Sequence, residues 1–139
     1  MRRTVLTLFT AAVVASTGCS SISNLFGGGD TSPSPNATTD AFSGSLVVGG
    51  SSFFTFTVAQ AGSVNVTLTS LAGTTPVGVG IGTPNGTTAC TVTTSSQSTT
   101  AGATPQVTAN ENPGTYCVSV FDPGTLTAAT TFAVSVVHP

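Results

Sequence analysis

The sequence predicts an all-β fold, an antiparallel β-sandwich, for the part of the chain that follows residue 40. Three observations lead to this prediction. Large apolar residues alternate with Thr or Ser in short runs, turn-forming residues separate the runs, and no run has helical spacing. Because each alternating strand has one apolar face to cover, a second sheet must pack on the first.

The first half of the predicted domain contains three alternating runs, at 42–48, 54–58 and 64–69. The middle run is the clearest, because Phe54, Phe56 and Val58 are separated by threonines and therefore share one face. Glycine and serine after the first run, and Ala61-Gly62 after the second, provide the turns.

A fourth run, 77–81, has glycine at every second position, at Gly78 and Gly80. One whole face of this strand therefore lacks side chains, which predicts a β-bulge or the close approach of another backbone. Residues 83–86 predict a strong turn.

The second half continues with predicted strands at 87–93, 105–109, 116–120 and 131–136. The strand at 105–109 is the weakest of these patterns. Residues 94–104 are polar and lack alternation, so we expect a mobile loop there.

The N-terminus has the order of an export signal. Arg2 and Arg3 precede an apolar run at 5–15, and small residues follow it. We therefore predict a signal peptide at 1–18. The stretch after it, 19–40, contains almost nothing apolar and is expected to be a disordered, flexible linker that spans about 25 Å. The β-sandwich domain is then 41–139.

The end of this signal, Ser16-Thr-Gly-Cys19, resembles the lipobox of bacterial lipoproteins, in which a lipidated cysteine becomes the new N-terminus. Ser16 departs from that pattern, where leucine is usual. The resemblance implies a lipid on Cys19, an exported protein, and attachment to a bacterial membrane on its periplasmic or cell-surface side. The alternative is ordinary signal cleavage that leaves Cys19 as a free thiol.

Five segments of the domain carry a similarity that covers nearly all of 41–138: 42–46, 54–58, 62–68, 114–122 and 132–136. They resemble the bacterial pre-peptidase C-terminal (PPC) domain, a jelly-roll-like sandwich of secreted and surface proteins. The resemblance implies an accessory role beside an enzyme, in targeting, adhesion or substrate handling. An immunoglobulin domain is the competing sandwich, but the chain has no Trp and the spacing of its Tyr and Cys residues differs.

The remaining cysteines, Cys90 and Cys117, are predicted to form a disulfide, because an exported small domain with an even pair favours one. Closing a loop of about 27 residues restricts the unfolded chain and adds about 3.5 kcal/mol to the free energy of unfolding.

The ionisable residues argue against several classes of function. No Lys or Arg follows Arg3, which excludes nucleic-acid binding by the domain. His138 is the only histidine and is penultimate, so we expect a solvated end residue and no enzyme activity. Glu111 and Asp122 are expected to cap turns, and we predict neither a metal site nor a cofactor.

The functional expectation is a non-catalytic, membrane-tethered module that acts in surface structure, adhesion or as an accessory to a secreted enzyme. The alternative is a glycan- or ligand-binding sandwich. Phe53 and Phe121 have the opposite parity to the predicted core and are candidates for an exposed aromatic patch. Finding them exposed on one face with Tyr116 would favour this alternative, and finding them buried would contradict it. The expected partner is a protein or a glycan at the cell surface.

Overall fold

The computed structural model describes residues 36–139, and the predicted signal peptide and Cys19 lie outside the described residues. Eight strands make up this part of the chain: β1 (Thr38–Leu46), β2 (Ser51–Val58), β3 (Gly62–Leu71), β4 (Val77–Asn85), β5 (Ala89–Thr99), β6 (Val107–Glu111), β7 (Gly114–Phe121) and β8 (Thr130–His138). Residues 36–139 contain no helix that is long and apolar enough to cross a membrane.

The strands form two antiparallel four-stranded sheets. The first sheet has the order β1-β8-β3-β6, and the second has the order β2-β7-β4-β5. This pairing of the earliest strands with the latest ones is the arrangement of a jelly roll. The predicted fold class, an all-β antiparallel sandwich, is confirmed.

The core lies between the two sheets and follows the alternation of the sequence. On β3, for example, Val64, Val66 and Leu68 are fully buried, whereas Ser63 and Thr69 on either side of them are exposed. At the side formed by β1 and β2, Phe42 stacks on Phe54 with ring centroids 4.9 Å apart. The buried cluster contains Leu46, Phe56, Val58, Val64, Val66, Leu68, Val77, Val79, Ile81, Val107, Val118, Val120, Leu126, Phe132, Val134 and Val136.

The first strand begins at Thr38, three residues before the domain boundary at residue 41 that we expected. Thr38 pairs with His138, and Asp40 pairs with Val136. Polar composition suggested linker here, but backbone pairing with the last strand does not depend on apolar side chains.

The prediction of a mobile loop at 94–104 is wrong for residues 94–99, which continue β5, whereas 100–104 belong to the connection between β5 and β6. β5 extends to Thr99, and Gly102 and Gln106 are bonded to β3. The Gly102 amide donates to Leu68 O over 2.9 Å, and Gln106 Oε1 accepts from the Leu68 amide over 2.7 Å. The segment is polar because β5 is an edge strand whose side chains are mostly exposed, and exposed strands need no apolar alternation.

The two ends of the sandwich differ in the length of their loops. Since consecutive strands alternate in direction, β1 starts at the same end as the short turns 59–61, 86–88 and 112–113. We call this end the entry pole. The opposite end, the loop pole, carries the longer connections 47–50, 72–76, 100–106 and 122–129.

Candidate functional site

The outer face of the second sheet contains a stripe of glycines on β4. Gly78, Gly80 and Gly82 lie opposite Phe121, Ser119 and Cys117 of β7, and all six residues face away from the core.

Neighbouring groups cover the glycine stripe closely. A Cβ added to Gly78 would overlap the ring of Phe121, and one added to Gly82 would overlap the backbone of Thr91 on β5. The pairing of β4 with β5 shifts register between Ile81 and Gly82. The sequence predicted a bulge or a close backbone approach for this strand, and the structure shows both.

The predicted disulfide is confirmed and crosses the same strand. Cys90 on β5 and Cys117 on β7 are joined by an S–S bond of 2.02 Å, with their Cα atoms 6.0 Å apart. Cys90 lies opposite Pro84 and Cys117 lies opposite Gly82. The bond therefore links the two strands on either side of β4, above a position that has no side chain.

A shallow depression of about 390 Å³ lies on this outer face, and we call it the sheet depression. Its apolar lining is half-buried, whereas most of its polar lining is exposed and consists of hydroxyl and amide groups. Ser119 differs, because it is 4% exposed and still lines the depression. No titratable side chain is among the lining residues, which are Ser51, Cys90, Val92, Ser95, Gln97, Ser119 and Phe121.

The candidate aromatic residues are divided between two faces. Phe53 and Phe121 both lie on the outer face of the second sheet and are half-buried, with Phe53 opposite Ser119. Only Phe121 lines the sheet depression. Tyr116 points inward and stacks on Phe56 at 6.1 Å, so the three aromatic side chains do not form one exposed face.

The hydroxyl of Tyr116 binds a turn of the entry pole, because it donates a hydrogen bond to Asn112 O over 3.0 Å. Partial burial and the negative charge of Glu111 both raise the pKa of Tyr116 above its usual value of 10.0.

His138 is not the solvated end residue that we expected, and that prediction is wrong. It is 4% exposed, its Nε2 lies 3.1 Å from Asp40 Oδ2, and its ring lies 5.3 Å from that of Phe56. The reason is that β8 continues to His138, which has the same inward parity as Val134 and Val136. Sequence position alone gave no signal of this contact, because the partner lies 98 residues away.

Asp122 organises the loop pole. Its Oδ2 accepts from the Gly49 amide over 2.7 Å, and its Oδ1 accepts from the amides of Gly124, Thr125 and Leu126. These hydrogen bonds, the one from Gly49 foremost, lower the pKa of Asp122 to about 2. The carboxylate thus acts as the turn cap that the sequence suggested.

No three side chains of His, Cys, Asp or Glu within residues 36–139 come together as a possible metal site. No protein-family model matches the sequence, and no curated protein is similar to it. The fold and this face define residues 36–139 as a jelly-roll β-sandwich domain whose second sheet is braced by a disulfide and has a depression lined by uncharged residues.

Proposed function

We propose that the protein is a non-catalytic binding module of a bacterial envelope, tethered to a membrane by a lipid on Cys19. In this proposal the domain is of the PPC type and acts through surface adhesion or as an accessory to an exported enzyme. In the same proposal, the linker that the sequence predicts between Cys19 and β1 lets the domain reach partners near the membrane surface.

The observation that carries the proposal is how three ionisable side chains within residues 36–139 are used. Asp40 and His138 bond to each other, and Asp122 accepts hydrogen bonds from four amides. These groups hold strand ends and loops in place. The sheet depression lies elsewhere, on the second sheet, and its lining has no general acid or base. Such a surface is suited to binding.

β1 begins at the entry pole, so in this proposal the tether joins the domain at that pole.

Metabolic labelling tests the membrane tether. Cells that express the full chain and grow on a radiolabelled fatty acid should incorporate the label into this protein, and Cys19→Ala should abolish incorporation. The matched control is the double variant Cys90→Ala/Cys117→Ala, which removes the other two cysteines and should keep the label. Release of the wild-type protein into the soluble fraction without label would refute the tether.

Complementation tests the accessory role. A strain that lacks the protein should lose part of an envelope-associated hydrolase activity, and the wild-type gene should restore it. The purified protein alone should hydrolyse none of the same substrates. Turnover by the purified protein would contradict a non-catalytic role, and unchanged activity in the deletion strain would contradict the accessory role.

A further inference from the structure

We propose that the sheet depression is a binding site for a neutral glycan segment, with Phe121 as its apolar platform and Gln97, Ser95 and Ser119 as its hydrogen-bonding groups. This inference rests on the proposal that the domain acts by binding, and it names the class of ligand.

The chemistry of the lining fits a sugar. One part is apolar and half-buried, formed by Phe121, Val92 and the disulfide at Cys90. Exposed hydroxyl and amide groups of Ser51, Ser95 and Gln97 lie around it. A pyranose ring has an apolar C–H face and a periphery of hydroxyls, so it can cover the aromatic ring while its hydroxyls exchange hydrogen bonds with the polar groups.

Charge restricts the ligand to a neutral one. The lining has no titratable side chain, and residues 36–139 contain no Lys or Arg that could pair with a sulfate, uronate or phosphate group. An anionic glycan would lose hydration at this surface without gaining an ionic partner. A neutral glycan carries no such cost.

The strands that form the depression are joined covalently before any ligand arrives. The disulfide joins β5 to β7 across β4, so the two walls of the depression are covalently fixed relative to each other. A preorganised site loses less conformational entropy on binding than a flexible one.

Ser119 provides an independent observation. It is a polar residue that is 96% buried on the outer side of a sheet, and it lines the depression between strands β2 and β4. Its partners on the neighbouring strands are Phe53 and Gly80, and because it lines the depression it is placed to bond a ligand that fills it.

Binding of the purified full chain to an array of immobilised neutral and anionic oligosaccharides tests the inference. We expect binding to neutral oligosaccharides, and Phe121→Ala and Gln97→Ala should each weaken it tenfold or more. Phe53→Ala is the matched control, because Phe53 lies on the same face but outside the depression, and its affinity should stay within twofold of wild type. Thermal unfolding of each variant checks that it is folded.

Gln97 is exposed, so Gln97→Ala decides the question if Phe121→Ala does not fold. Absence of binding to every neutral glycan, a preference for anionic glycans, or equal affinity of wild type and Gln97→Ala would overturn the glycan site. A negative array result with retained lipid labelling and retained complementation would refute the glycan site alone. Loss of all three would refute the proposed function as well.

Discussion

The side chain of His138, at the end of the last strand, is bonded to Asp40 near the start of the first strand, with Nε2 and Oδ2 3.1 Å apart. The two strands are neighbours in the first sheet, and β1 is the edge strand of that sheet. His138 is buried against Phe56, whereas the Asp40 side chain is 37% exposed. The pair therefore fastens an edge strand to the core.

Removing the carboxylate should destabilise the domain. Asp40→Ala leaves the buried His138 ring without its partner, and we expect the free energy of unfolding to fall by about 1 to 2 kcal/mol. Thr39→Ala is the matched control, because Thr39 immediately precedes Asp40 on β1 and its side chain is exposed. This variant should change the free energy of unfolding by no more than about 0.5 kcal/mol. Urea unfolding of both variants measures the difference. Equal stabilities for the two variants would show that the contact contributes nothing.

The disulfide should account for a large part of the stability. It closes a loop with a sequence separation of 27 residues, for which restriction of the unfolded chain predicts about 3.5 kcal/mol. Cys90→Ala/Cys117→Ala should lose this amount in urea unfolding, and adding a reductant to that variant should have no further effect. If reduction of the wild type leaves its unfolding midpoint unchanged, the bond contributes little to stability.

The glycine stripe should tolerate alanine unequally along β4. Gly82→Ala places a methyl group against the backbone of Thr91, which cannot move without breaking strand pairing, so we expect a loss of about 3 kcal/mol. Gly78→Ala meets the side chain of Phe121 instead, which can rotate away, and should cost less. Gly114→Ala is the control, because its nearest neighbour would be at 3.4 Å, an ordinary contact. The opposite order of Gly78→Ala and Gly82→Ala in urea unfolding would contradict this account.

The sequence predicted the strands whose burial alternates, such as Phe54 to Val58, because burial of one face leaves a period-two pattern. It also predicted the disulfide and the close approach at the β4 glycines. It failed at β5 beyond Thr93, because an edge strand needs backbone partners on one side only and its side chains stay polar. The sheet depression was missed for a related reason. It is formed by Gln97 and Ser51, on strands far apart in sequence, and only the register of the sheet brings them to one surface.

The loop that follows β5 should need the side chain of Gln106 to stay packed against β3. Gln106 Oε1 accepts from the Leu68 amide over 2.7 Å, and Nε2 donates to Thr100 O over 3.4 Å. Gln106→Ala should therefore accelerate hydrogen exchange at the amides of Leu68 and Gly102. Gln97→Ala removes an exposed glutamine from the neighbouring strand and should leave both rates unchanged. Equal exchange in the two variants would mean that backbone bonds alone hold the segment.

The stability of the domain should decline at acidic pH because of Asp122. Its pKa in the folded protein is about 2, below the ordinary value of 3.8, because amides of the loop pole donate to the carboxylate. A lowered folded pKa means that the unfolded chain binds the proton more tightly. The stabilisation is therefore fully present above pH 3.8 and is lost as the pH falls through about 2.

Urea unfolding at several pH values between 2 and 6, together with ¹³C NMR titration of the carboxyl carbons, measures this effect. Asp122→Asn should lower stability at pH 6, because an amide nitrogen in place of Oδ2 cannot accept from the Gly49 amide, and it should flatten the decline below pH 4. Glu111→Gln is the control, since it leaves the contacts of Asp122 intact and should keep the decline. A carboxyl titration of Asp122 near its ordinary value, or an unchanged decline in Asp122→Asn, would contradict the prediction. Either result would mean that the four hydrogen bonds from backbone amides to the Asp122 carboxylate do not hold the loop pole together in solution.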